Sequence, residues 1–329
     1  MNISDFKNPF FIGVAGVGTS AIAQYLQGIG KNVSGSDRYF HPDEYNKTKE
    51  QLENEGIKCF LQDGSGITAE TDLVVVSTAI EDTVYEVKKA KEFGIPIIKR
   101  SQLLAMIAKS KKTVAVAGTS GKSTTSAMLF QILLDAGLEP SIISGAGLTS
   151  IIKQGKIGNA YVGKGDWLII EADESDGSVV QYEPEIGLLL NIDKDHQEID
   201  ELIELFTIFK NNTKSLYIVN QSNALAKTLS ANINNDFGFE TEAGFNAKNF
   251  KQEGFKLSFE IDNQEFTMNA IGQHTVENAT AAVAVANQIG VDLKTCAESL
   301  SKYKGIYRRH QILGQKNGVW VIDDYAHNP

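Results

Sequence analysis

The sequence predicts an α/β protein: a parallel-sheet unit with crossover helices, then a second α/β unit carrying a small antiparallel hairpin subregion. Two observations predict this. Short apolar runs alternate with stretches of helical apolar spacing through most of the chain, which is the pattern of strands joined by crossover helices. Two of those runs end in glycine turns that open into helices, at Gly13–Gly18 and at Gly118–Gly121. The exception lies within residues 231–270, where two runs alternate residue by residue and are joined by Asp262-Asn263, a hairpin signal.

The elements follow in order. Phe10–Ala15 reads as a buried strand, followed by Ile22, Tyr25, Leu26 and Ile29 at helical spacing, with Gly28 and Gly30 near the stop. Asn32–Ser36, Leu73–Ser77 and Ile95–Ile98 supply further strands of the first unit. A helix around Gln102–Ala108 and the basic patch Lys109, Lys111 and Lys112 lead into the second unit. Its strands are expected at Thr113–Ala117, Trp167–Glu171, Ile186–Asn191 and Leu216–Asn220. The hairpin pairs Phe255–Ile261 with Glu265–Asn269. Helices are expected near Glu277–Ile289 and Leu293–Tyr303, and a last strand over Gly318–Asp324.

Length and composition narrow the function. A chain of 329 residues is expected to form two or three domains. Its net charge of −10 argues against nucleic acid as a main partner. No apolar run is long enough for a membrane span, and Met1–Ala15 lacks the pattern of a secretory signal. The two cysteines, Cys59 and Cys296, have no metal-type spacing and fit a reducing cytoplasm.

Six segments carry chemistry. Gly118-Thr119-Ser120-Gly121-Lys122-Ser123-Thr124 lies between a strand and a helix. Such a loop turns backbone N–H groups toward one point, where the helix N-terminus and Lys122 add positive charge. This suits a nucleotide's phosphate tail, with Lys122 at the terminal phosphates and the Ser123 or Thr124 hydroxyl helping to hold Mg²⁺. Gly13-Val14-Ala15-Gly16-Val17-Gly18-Thr19-Ser20-Ala21, with Asp37 after the next strand, fits a dinucleotide fingerprint. Alone it would read as a nicotinamide site, as a turn for another diphosphate-linked nucleotide, or as a tight turn with no ligand. Glu171-Ala172-Asp173-Glu174-Ser175-Asp176 ends an apolar strand in four carboxylates, either Mg²⁺ ligands or a solvated acidic loop. Asn191, Asp195 and His196 end another strand on the same edge. Finally, His274 and Asn278 open an alanine-rich helix where they would meet a base, and Arg308-Arg309 is a phosphate clamp or a surface charge run.

Taken in order, these segments resemble the Mur ligases, the ATP-dependent amino-acid ligases of peptidoglycan synthesis. Gly272-x-His274 and Asp323-Asp324-Tyr325-x-His327-x-Pro329 complete the likeness, which covers essentially the whole chain. The resemblance implies a Rossmann-like first domain (1–108) that binds UDP-N-acetylmuramate through Gly16, Val17, Gly18, Thr19, Ser20, Asp37, Ser77 and Ala79. It implies a P-loop ATPase-like central domain (109–306). Residues 307–329 would be a linker and the first strand of a third domain that is otherwise missing, so that the chain binds ligands but turns over little. ATP would be held by Gly118–Thr124, His274, Asn278, Arg308 and Asp324. The catalytic groups would be Lys122, Glu171 and His196, with Mg²⁺ on Ser123, Glu171 and His196. Some members carry a carbamylated, metal-bridging lysine near Lys210, but Phe206, Phe209 and Asn212 look like the alanine-adding branch, which usually lacks it.

The start of the chain also looks like that branch, which joins L-alanine to the lactyl carboxylate through an acyl phosphate. Ser120, Thr275 and His327-Asn328-Pro329 depart from its usual pattern, and Tyr303–Tyr325 is closer to the branch that attaches a recycled tripeptide. The acceptor, L-alanine or a peptide, stays open here, and a non-catalytic nucleotide-binding module is the other reading. The expected setting is the cytoplasm.

Overall fold

The computed structural model describes residues 1–194, 197–309, 311–316 and 318–325. The first sheet contains β1 (Pro9–Ile12), β2 (Ser34–Asp37), β3 (Lys58–Leu61), β4 (Leu73–Val76) and β5 (Ile97–Lys99). They lie in the order β3-β2-β1-β4-β5, all parallel. Helices α1 (Val17–Gly28), α2 (Lys47–Asn54) and α3 (Tyr85–Glu92) make crossovers, and α4 (Arg100–Lys109) leads to the second sheet. The order reverses at β1, so the turn after β1 opens into the crevice where such sheets bind ligands.

The second sheet contains β6 (Lys112–Ala117), β7 (Ser141–Ile143), β8 (Ala160–Tyr161), β9 (Trp167–Ala172), β10 (Ile186–Leu189) and β11 (Leu216–Val219). Its order is β11-β10-β6-β9-β7-β8, parallel except for β8 against β7. Strand β6 sits between β9 and β10, and Thr113 to Ala117 are fully buried. That is why its sequence is an unbroken apolar run rather than an alternation. Helices α5 (Lys122–Asp135), α6 (Thr149–Ile152) and α7 (Ile199–Asn212) belong to this unit.

A four-stranded sheet follows: β12 (Phe237–Phe239), β13 (Phe245–Glu253), β14 (Lys256–Ile261) and β15 (Gln264–Asn269). The expected hairpin is β14–β15, and Asp262 and Asn263 both take positive φ, 48° and 64°. Two left-handed residues in a two-residue loop match the twist of the flanking strands. Helices α8 (Gln273–Ile289) and α9 (Leu293–Ser301) pack on the central core. Ala279, Ala281, Ala282, Ala284 and Ala286 of α8 are all fully buried, so their small size serves close packing.

The last described strands, β16 (Gln311–Lys316) and β17 (Val319–Asp323), form an antiparallel pair. The sequence predicts only the second of these. The other strands it does not predict are β3, β7, β8, β12 and β13. These are short, or polar on one face, so their apolar signal is weak.

Candidate active site

The phosphate loop is built by the end of β6. Gly118 and Gly121 take φ of 133° and 82°, a region L side chains rarely adopt. A Cβ on Gly121 would lie 2.5 Å from Asn278 Oδ1, so the glycine also makes room for α8. Asn191, just after β10, braces the loop. Its Oδ1 accepts from Thr119 Oγ1 at 2.8 Å and from Ser120 N at 2.9 Å, and its Nδ2 donates to Ser120 O at 3.1 Å.

Lys122 opens α5 and is held inward. Its Nζ donates to Gly118 O and to Glu174 Oε2, each at 2.7 Å, with Asp173 Oδ1 at 3.9 Å. Glu174 is 5% exposed. Burial pushes its carboxyl above the ordinary range, and the neighbouring Lys122 ammonium offsets part of that.

Next along α5, Ser123 Oγ donates to Glu171 Oε2 at 2.8 Å. The other oxygen of Glu171 accepts from Ser144 Oγ at 2.7 Å and from Gly145 N at 2.6 Å. Strand β9 places Glu171 level with Val116 of β6, so both strand ends meet at one edge. A hydroxyl and a carboxylate side by side are hard oxygen donors. They suit Mg²⁺, which is commonly bound by one or two protein groups plus substrate phosphates. Among the described residues there is no group of three His, Cys, Asp or Glu side chains able to cage a metal.

These groups line one cavity of about 600 Å³. Thr119 to Thr124, Glu171, His274, Asn278 and Asp324 all face it. Thr125 Oγ1 donates to Asn278 Oδ1 at 3.2 Å, tying α5 to α8. Arg309, not Arg308, lines the cavity. Arg308 takes φ of 57° and turns to Asp323, with Nε 3.7 Å from Oδ1, and stacks over the Tyr325 ring. The fork of Arg309 donates to Tyr325 O at 3.1 Å. Lys210 does not line the cavity; its Nζ donates to Ser230 O at 3.2 Å. Asp195, His196 and His327 fall outside the described residues. Asn191 and Glu174 were legible only as members of strand-end clusters, and their direct contacts with the loop need the fold.

The first glycine turn is braced in the same manner. Gly13 N and Val14 N donate to Ser36 O. Asp37 is 4% exposed, and its two oxygens accept from Ala15 N at 2.9 Å and Tyr39 N at 3.1 Å. It therefore stiffens the turn. Gly16 caps α1, Val17 is 56% exposed, and a Cβ on Gly18 would stand 3.0 Å from Arg100 Nη1. Thr19 and Ser20 point inward, at 4% and 1% exposed. Ser77 is half-buried and Ala79 exposed, both just beyond β4 on the same edge.

Residues 116–286 match the Mur ligase middle domain, and residues 10–112 match the Mur ligase family catalytic domain. The chain belongs to the Mur ligase family. The UDP-N-acetylmuramate–L-alanine ligase of Geotalea uraniireducens is 36% identical to this Mur ligase over 97% of the chain and 70% of the relative. That of Syntrophomonas wolfei is also 36% identical, with the same coverage. Among solved structures, the UDP-N-acetylmuramate–alanine ligase of Thermotoga maritima superposes with a TM-score of 0.84 at 26% identity, covering 98% of this chain and 74% of that one. The UDP-N-acetylmuramate:L-alanyl-gamma-D-glutamyl-meso-diaminopimelate ligase of Neisseria meningitides shares the fold, with a TM-score of 0.77 at 24% identity over 92% of this chain and 100% of that one. No helix among the described residues of this Mur ligase is long and apolar enough to cross a membrane.

Proposed function

We propose that this Mur ligase joins L-alanine to the lactyl carboxylate of UDP-N-acetylmuramate at the expense of ATP, in the cytoplasm. The observation that carries the reading is the meeting of Lys122, Ser123 and Glu171 around one cavity at the ends of β6 and β9. The relatives at 36% identity favour L-alanine over a peptide as the acceptor.

The chemical difficulty is electrostatic. A carboxylate oxygen must bond to the γ-phosphorus of a polyanion while ADP leaves. The amine then attacks the acyl carbonyl, phosphate departs, and a proton is lost from nitrogen. The loop N–H groups and Lys122 supply fixed positive charge where negative charge crowds, which is the largest lever available to such a site. Ser123 and Glu171 would hold Mg²⁺, whose charge screens the phosphate oxygens when bound. Ser144 and Gly145 hold the Glu171 carboxylate in place for that task. His274 and Asn278 would take the base, and Arg309 and Asp324 line the same cavity. The first unit would hold the sugar nucleotide at the glycine turn, with residues 1–108 and 109–306 as the two domains.

Calorimetric titration tests the reading. UDP-N-acetylmuramate and MgADP should each bind, NADH should not, and Lys122→Ala should lose the nucleotide while keeping the sugar nucleotide. Whatever ADP release the chain shows with ATP and UDP-N-acetylmuramate should be stimulated by L-alanine rather than by a tripeptide. A chain that binds NADH and ignores UDP-N-acetylmuramate would overturn the assignment.

A further inference from the structure

Asn159 belongs to the second sheet's unit, one residue before β8, yet its side chain is spent entirely on the first unit. Its Nδ2 donates to Val17 O at 2.7 Å and to Ser20 Oγ at 2.9 Å, and its Oδ1 accepts from Gln24 Nε2 at 2.7 Å. All three partners lie on α1, whose first residues form the glycine turn. Asn159, Ser20 and Gln24 are 2%, 1% and 4% exposed.

The backbone of Asn159 faces the other way. Its carbonyl accepts from Ser144 N at 2.9 Å. Ser144 Oγ donates to Glu171, and Glu171 accepts in turn from Ser123 of the phosphate loop. One unbroken series of hydrogen bonds therefore runs from the first turn of α1 to the loop that opens α5.

Stability alone is a poor account of this junction. Gln24 Oε1 is buried with no hydrogen-bond partner, and a half-satisfied buried network is inferior to an apolar contact of the same size. The neighbouring contact is such an apolar one: Gly28 of α1 lies directly against Val162, and a Cβ there would approach Val162 Cγ2 to 2.6 Å. What the polar network adds is direction. An amide with both hydrogens and its oxygen engaged fixes α1 in rotation and in translation.

We propose that Asn159 is a positioning residue that fixes the glycine turn of the first unit against the Glu171 carboxylate of the second. It touches neither substrate. It sets the distance and angle between the sugar-nucleotide turn and the phosphate loop, and it makes occupancy of one felt at the other. Its link to the reaction rests on the reading given under Proposed function; the mechanical linkage does not.

Two variants of the full chain test it. Asn159→Ala removes the amide. Asn159→Asp keeps its size and the acceptor for Gln24 but sets an oxygen against the Val17 carbonyl. Amide hydrogen exchange, read by mass spectrometry, should quicken about fivefold or more over residues 17–24 and 144–146 in both variants, since the loss of even one such bond is worth about that factor. The remainder of the chain should be unchanged. Unaltered exchange in those two segments, or a uniform rise everywhere, would overturn the proposal.

Binding supplies the second arm. In the parent chain, saturating UDP-N-acetylmuramate should change the affinity for MgADP by about fivefold or more. In both variants that factor should fall to about one, while each ligand alone still binds within about threefold of the parent. A coupling factor retained in the variants, or absent from the parent when both ligands bind, refutes the assignment. If the parent binds neither ligand, the proposed function fails, and the exchange measurement alone decides the role of Asn159.

Discussion

Glu174→Gln is expected to tighten nucleotide binding. The Lys122 ammonium has two anchors, Gly118 O and Glu174 Oε2, each at 2.7 Å. The side chains are 16% and 6% exposed, so solvent screens this pair little. A phosphate can take up Lys122 only by displacing Glu174 or by sharing the ammonium with it. A hydrogen bond between charged partners contributes about 1.5–3 kcal/mol net, and one to a neutral amide about 1 kcal/mol. The substitution therefore removes about 0.5–2 kcal/mol of competition, which corresponds to about a 2- to 30-fold lower Kd. It also removes a negative charge beside the incoming polyphosphate, in the same direction. Isothermal titration with MgADP, on parent and variant of equal helical content, reads the effect. Unchanged or weaker binding in a folded Glu174→Gln chain would refute the reasoning. It would mean that the carboxylate aims the lysine at the phosphate rather than competing for it.

The same residue gives a pH signature. Burial raises the Glu174 carboxyl above its ordinary 4.5, so its protonated form is favoured by folding. That stabilisation is complete below the unfolded value and is lost as pH rises through the raised folded one. Melting temperatures of the parent should fall relative to Glu174→Gln from mildly acid to neutral pH; parallel curves would contradict this. Gly121→Ala forces an L residue into φ of 82° and sets its Cβ against Asn278, and should cost about 1–2 kcal/mol of stability from the backbone alone. Thermal melts and ADP titration check it, and an unchanged Kd would show that the loop tolerates the shift. Ser144→Ala leaves one oxygen of Glu171 held by Gly145 N alone and should raise the Mg²⁺ needed to support nucleotide binding by about tenfold. A Mg²⁺ titration at fixed ADP reads it, and an unmoved midpoint would remove Glu171 from the metal site.

Some of these residues were legible before folding and some were not. The strand–loop–helix at Val114–Asp135 was, because an unbroken apolar run, two glycines and a lysine each depend only on local chemistry. The β14–β15 hairpin was too, because Asp262-Asn263 signals its own turn. Strand β13 was not: Phe245–Glu253 carries three lysines or glutamates on its outer positions, and its pairing is fixed by β14 rather than by its own pattern. Arg308 and Arg309 are equivalent as letters. The left-handed backbone at Arg308 turns one toward Asp323 and the other to the cavity wall. Asp37 completes a dinucleotide fingerprint by spacing, yet its carboxylate closes on Ala15 N and Tyr39 N.

The amino-acid sequence by itself determined the kind of chemistry: two glycine turns, each after a strand and before a helix, and the carboxylates that end β9. Those features arise from near neighbours along the chain, where a few residues set φ, polarity and charge. Only the tertiary structure decided which charged groups meet. Lys122 and Glu174 stand 52 positions apart, and Asn159 and Val17 stand 142 apart. Contacts at such separation depend on sheet order and helix packing, which no local pattern encodes.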